Sequence, residues 1–112
     1  MELIVTPTPT ATVIRVNASR IDASTALQFK EEMRSLTAAA EGRFMLDLQQ
    51  VDFIDSSGLG AVVASMKQLR PGQALELAAL QPVVAKVFRL TRMDTIFTIH
   101  DTADQVSDTG QG

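Results

Sequence analysis

The chain has no cysteine, no tryptophan and no tyrosine, and only one histidine, His100. Without cysteine there is no disulfide, no thiolate nucleophile and no cysteine-based metal site, an absence compatible with a cytoplasmic location. Aromatic residues make up 4% of the 112 residues, all of them phenylalanine, which leaves little with which to stack nucleic-acid bases. A surplus of basic charge is missing as well: 10 Lys and Arg against 13 Asp and Glu give a net charge of −3. Neutralising phosphates needs the opposite balance, so no nucleic-acid partner is expected. No apolar run approaches the roughly 18 residues of a membrane span, so no membrane insertion is expected. The start, Met1-Glu2-Leu3-Ile4-Val5-Thr6-Pro7, does not read as a signal peptide, having no basic stretch ahead of an apolar one.

What is present suits one α/β domain. The length fits a single unit able to bury a core without staples, and 46% of residues are hydrophobic. Thr6-Pro7-Thr8-Pro9-Thr10 reads as a turn or an extended segment. Ile4-Val5 suits a short edge strand, and the β-branched stretch Ala11 to Ala18 suits a full one. Asp22 or Ser24 can cap the helix that follows. Its apolar stripe is Ala26, Phe29, Met33, Leu36 and Ala40, with Glu31, Glu32 and Arg34 facing away and Gly42 as the stop. Arg43 to Leu48 alternates as a strand, and Gln49 to Ile54 reads as a loop. A second helix presents Leu59, Val62, Val63, Met66 and Leu69 before Pro71-Gly72 ends it. Ala74 to Leu80 follows as a buried strand. A third helix starts at Pro82 with Val83, Val84, Val87, Phe88 and Leu90 inward. Thr95 to Ile99 reads as a last strand, Asp101 to Val106 as a short helix and Ser107 to Gly112 as a disordered tail. Strands alternating with helices predict a largely parallel sheet.

Chemistry concentrates at Asp55-Ser56-Ser57-Gly58-Leu59-Gly60, a loop-to-helix junction. The first backbone N–H groups of a helix have no internal partner, and together with the helix dipole they favour an anion there. Ser56 reads equally as a helix cap and as an exposed acceptor for a phosphoryl group, and the two are compatible. Gly58 and Gly60 suit close helix packing, or close approach by another protein.

The stretch Phe53-Ile54-Asp55-Ser56-Ser57-Gly58-Leu59-Gly60 resembles the signature of STAS-domain anti-sigma-factor antagonists, the anti-anti-sigma factors of bacterial partner-switching systems. Arg20-Ile21-Asp22, Phe44 to Leu48 and Leu90 to Ile99 are similar to further family segments, in the family's order, so the resemblance covers about residues 11–106. Two departures lie in turns. Ser19 stands where the family often has Gly, and Arg92-Met93 where it favours Gly.

The resemblance implies a STAS fold over residues 1–106: a mixed, mostly parallel sheet of four to five strands, with about four helices packed mainly on one face. It implies phosphorylation of Ser56 by a serine-kinase anti-sigma factor that carries its own ATP site. The unphosphorylated form would bind that partner, the phosphorylated form would release it, and a PP2C-type phosphatase would reset the switch. No cofactor and no metal is implied, and the location is cytoplasmic. Asp22, Asp55, Ser57, Gly58 and Leu59 are the expected partner-binding neighbours. Each keeps a structural alternative: a cap or turn carboxylate for Asp22 and Asp55, a first-turn helix residue for Ser57, packing for Gly58, the core for Leu59.

An enzyme fits poorly. His100 has no second histidine to work with, and Ser56 lacks the Gly two residues earlier that a Gly-x-Ser-x-Gly nucleophile elbow needs. A phospho-aspartate receiver would need an acidic pair after its first strand and a late lysine, yet the last lysine is Lys86. Related STAS domains also act as non-enzymatic accessory subunits, for example of lipid-transport ATPases. The intact Asp55-Ser56-Ser57-Gly58 favours a phosphorylated member.

Overall fold

The computed structural model describes residues 1–104. Five strands make the main sheet: β1 (Glu2–Pro7), β2 (Thr12–Asn17), β4 (Arg43–Asp47), β6 (Ala74–Ala78) and β7 (Ile99–His100). They lie in the order β1-β2-β4-β6-β7. β1 runs antiparallel to β2, and every other neighbour pair is parallel. A two-stranded parallel ladder, β3 (Arg20–Ile21) with β5 (Phe53–Ile54), stands apart from it. Three α-helices, α1 (Ala26–Ala38), α2 (Ser56–Lys67) and α3 (Pro82–Leu90), connect the parallel strands, with a 3-10 turn at Met93–Thr95.

One face of the sheet carries the core. Ile14 and Val16 of β2, Phe44 and Leu46 of β4, and Leu75 and Leu77 of β6 are buried against Phe29 and Met33 of α1, Ala61 and Val62 of α2, and Val84 and Phe88 of α3. The expected mixed, mostly parallel sheet with helices on one face is therefore present. Burying each large apolar side chain here stabilises the fold by about 1.5–3 kcal/mol. The other face combines a small buried apolar cluster of Ala11, Met45 and Ala78 with ion pairs. Arg15 and Asp47, opposite one another across β2 and β4, pair at 3.4 Å. Arg43 grips Glu76 with Nε at 2.9 Å and Nη2 at 2.8 Å, and His100 Nε2 lies 2.7 Å from the same carboxylate. That cluster ties β4, β6 and the short β7 together, and the Arg43 guanidinium holds the Glu76 carboxyl below the usual range.

Several expectations are corrected. Three α-helices stand among the described residues where about four were expected. Over 101–104 the expected short helix is bends and turns, and its remainder, with the expected tail, lies outside the described residues. The edge strand is the full six-residue β1, not Ile4-Val5 alone. Neither Asp22 nor Ser24 is the cap of α1. That position belongs to Thr25, after a turn closed by Thr25 N–H and Ala26 N–H on the Asp22 carbonyl. Thr37 is buried on α1 because its hydroxyl donates to the Met33 carbonyl at 2.9 Å, which satisfies the polar group. On α2 the fully buried line is Gly58, Ala61, Val62 and Ser65, while Leu59, Val63, Met66 and Leu69 are only partly buried. On α3, Val83 and Leu90 point to solvent. Thr95 belongs to the 3-10 turn and not to a strand; Phe97 packs edge-to-face on Phe88 at 6.1 Å, and β7 starts only at Ile99.

Of the two glycine-related departures, Arg92 falls at an informative place. Arg92 adopts φ +64°, the left-handed region where glycine is easiest, at a cost of about 1–2 kcal/mol for a side chain. Gly42 takes φ +82° as the chain turns into β4, four residues beyond the end of α1.

Candidate functional site

The small ladder organises the site. Arg20 pairs with Phe53 and Ile21 with Ile54, so the next residue of each strand, Asp22 and Asp55, leaves the ladder side by side. Ile21 and Ile54 point into the core and fix the register. Arg20 lies over the Phe53 ring, 4.0 Å from its centroid. Ser19 O accepts from Asp52 N–H at 2.9 Å and closes the base of the ladder.

Asp55 is the cap of α2. Its backbone is extended, and Oδ1 accepts from Gly58 N–H at 2.8 Å. Oδ2 accepts from Ala23 N–H at 3.1 Å, so the same carboxylate holds the loop before α1. Ser56 is consequently the first helical residue and not the cap, exposed together with Ser57. Its hydroxyl takes no part in the hydrogen bonds that build the corner. Asp22 folds its carboxylate over its own loop. Oδ1 accepts from Ser24 N–H at 3.1 Å and Ser24 Oγ–H at 2.7 Å, and Oδ2 from Arg20 Nε–H at 3.1 Å.

These bonds hold the Asp22 carboxyl well below its ordinary 3.8, at about 2, with the Ser24 hydroxyl the largest cause and Arg20 the next. A lowered folded-state value stabilises the loop above pH 3.8, and that contribution is lost as the pH falls through about 2. Carbon-detected NMR titration should place the Asp22 midpoint near 2, and Ser24→Ala should move it back towards 3.8. A midpoint unmoved by Ser24→Ala would remove the hydroxyl from the account.

Gly58 is buried, and the first turn of α2 rests on β3 there. A Cβ would overlap the Ile21 carbonyl oxygen and lie 2.7 Å from its carbon. Gly58 thus offers little surface to a partner and acts by letting α2 and β3 meet. Gly60, by contrast, is exposed with open space where a Cβ would be. Leu59 is half-buried against the core. The ladder therefore gathers Asp22, Asp55, Ser56 and Ser57 at one exposed corner, with Gly58 and Leu59 beneath it. The corner also includes Arg20 and Phe53, which the sequence shows within family-like segments but which were not expected among the site residues. With two residues to a strand, no alternation in the sequence marks them.

No helix among the described residues is long and apolar enough to cross a membrane. No group of three or more His, Asp or Glu there could hold a metal ion.

The family model "STAS domain" matches residues 2–106. The chain is 31% identical over 91 residues to an anti-sigma-B factor antagonist of Listeria monocytogenes, covering 80% of each. Its fold is similar to the crystal structure of an anti-sigma factor antagonist from Mycobacterium paratuberculosis, with a TM-score of 0.86 at 22% identity, over 99% of this chain and 94% of that one. It is also similar to the Bacillus cell-fate determinant SpoIIAA in its phosphorylated form, with a TM-score of 0.69 at 21% identity, over 96% and 98%. With the Asp55-Ser56-Ser57-Gly58 signature set at the start of α2, the chain belongs to the STAS domain family.

Proposed function

We propose that this protein is an anti-sigma factor antagonist whose docking to a serine-kinase anti-sigma factor is gated by phosphorylation of Ser56, with a PP2C-type phosphatase restoring the docking form. The observation that carries the reading is the exposed, unengaged Ser56 hydroxyl at the first turn of α2, beside two carboxylates that are fully committed to holding the corner. A hydroxyl so placed is reachable by a kinase and can change charge without unfolding its surroundings. The curated relative's name and the phosphorylated form of SpoIIAA support the same reading. The chain works as a binding module in the cytoplasm; ATP chemistry belongs to the partner. Asp22, Asp55, Ser57 and Leu59 border the docking patch, and Gly58 shapes it.

The physical logic is charge accumulation. A phosphate adds about −1.5 to −2 charges. It would join Asp22 and Asp55 at one spot, offset only in part by the dipole of α2. Phosphosite mapping by mass spectrometry on protein from its own host, before and after phosphatase treatment, should find one phosphatase-sensitive phosphate, on Ser56. A chain left unmodified under many growth conditions, yet recovered bound to a transport ATPase, would replace this reading with an accessory subunit.

A further inference from the structure

The two edges of the sheet carry complementary surfaces. On α3, Val84 and Phe88 face the core, so the line opposite them, Val83, Lys86 and Leu90, faces outward. Leu90 is 71% and Val83 58% exposed. Arg89 and Arg92 flank Leu90, and none of these three cations is held in an ion pair among the described residues. Asp94 is the only acidic residue between Pro82 and Ile96. α3 is thus a convex basic ridge with apolar anchors, on a chain whose net charge is −3.

At the far edge, β1 and α1 enclose an open groove of about 520 Å³. Met1, Leu3 and Leu36 supply its apolar wall; Glu2, Glu31 and Glu32 supply carboxylates, and no basic side chain lines it. The Met1 amine is turned to Gln28 Oε1 at 3.3 Å. Glu32, expected from the sequence to face away from the protein, is half-buried, and its Oε2 has no hydrogen-bond partner among the described residues. A buried acceptor left unpaired is unfavourable, so a donor brought to it is favoured.

One molecule cannot join these surfaces to each other. β1 and β7 are the opposite edges of the sheet, and the molecule measures 35 Å along its longest axis. We propose that the α3 ridge of one copy docks in the β1–α1 groove of the next, with Leu90 against the apolar wall and Lys86 and Arg89 meeting Glu31 and Glu32. Each copy contributes two different faces, so the contact is head-to-tail and builds a ring or an open row according to its rotation. A lipid surface fits less well: three cations fall below the roughly 4–8 of polybasic lipid-binding clusters, and the groove matches a ridge that the chain itself supplies. Neither face includes Ser56, Asp22 or Asp55, so the assembly stands or falls apart from the phosphorylation reading.

Sedimentation velocity of the full chain over a wide concentration range tests it. At low salt the average mass should rise above that of a monomer with concentration, and high salt should return it towards the monomer. A groove variant (Glu31→Lys with Glu32→Gln) and a ridge variant (Arg89→Ser with Leu90→Ser) should each associate at least tenfold more weakly. Circular dichroism should show both still folded, since Glu31, Arg89 and Leu90 are exposed and Glu32→Gln keeps the size of the half-buried side chain. Mixed in equal amounts, the two should form a 1:1 dimer that does not grow, because one retains the ridge and the other the groove. A wild-type monomer at every concentration overturns the proposal, as does undiminished association of either variant. A wild-type monomer that floats with phosphatidylserine vesicles would reassign the ridge to a lipid surface.

Discussion

Phosphorylation of Ser56 is expected to weaken binding of the anti-sigma factor about a thousandfold, the equivalent of roughly 4 kcal/mol. Ser56→Ala should keep the affinity of the unmodified chain, because the wild-type hydroxyl holds nothing in the corner. Ser56→Asp brings one charge where phosphate brings nearly two, and should lose about ten- to a hundredfold. Much of the effect comes from what already stands there. Asp55 cannot turn away without giving up Gly58 N–H and Ala23 N–H, and Asp22 cannot without giving up Ser24 and Arg20. Both carboxylates therefore stay in place as the new charge arrives, and the repulsion is not relaxed by local rearrangement. Titration calorimetry of the three forms against the purified partner reads this directly. Equal affinities for Ser56→Ala and Ser56→Asp would sink the switch.

Gly58→Ala should be the most destabilising single-methyl change in the signature. The added carbon meets the Ile21 backbone carbonyl, which cannot swing aside as a flexible side chain could. Relief requires α2 to lift from β3. Overpacking of this kind typically costs 1–3 kcal/mol, and a backbone obstacle places it at about 3 or more. For a domain of this size that lowers the melting temperature by roughly 12 °C or more. Gly60→Ala, two residues along the same helix, is the matched control. Open space awaits its Cβ, and replacing a helical glycine should stabilise the fold by about 0.5–1 kcal/mol. Thermal unfolding of the two variants should therefore shift in opposite directions. A Gly58→Ala protein melting like the wild type would mean that the corner can open at little cost.

The parts legible in the sequence were those with enough residues to show a period. Phe29 and Met33 marked α1, Val84 and Phe88 marked α3, and Phe44 and Leu46 marked the inward face of β4, with Leu48 buried just beyond its end. The ladder of β3 and β5 was not legible, because two residues per strand carry no pattern that separates them from a loop. The buried face of α2 was read by side-chain size. Its fully buried line includes instead the small residues Gly58, Ala61 and Ser65, and at Gly58 the missing side chain lets the helix meet the Ile21 backbone. At the last strand, Thr95 to Ile99 has β-branched composition, yet Phe97 is drawn onto Phe88 and the backbone follows it. In the candidate site, Ser56 and its neighbours were named from the motif. What the motif could not tell was which residue caps α2, because aspartate and serine both suit that role. Asp55 takes it through Gly58 N–H, and this is what leaves Ser56 exposed.

A single carboxylate fastens both Gly58 and Ala23, so the corner has one latch shared between two helices. Asp22 closes the turn before α1 by its own bonds to Ser24, and Asp55 alone ties that turn to the entry of α2. If Asp55 rotates, the bonds to both sides are lost in one event; if it stays, both are kept. A disturbance at Ser56 thus reaches the start of α1 across one side chain, while the core behind it, pinned by Ile21 and Ile54, has no reason to move.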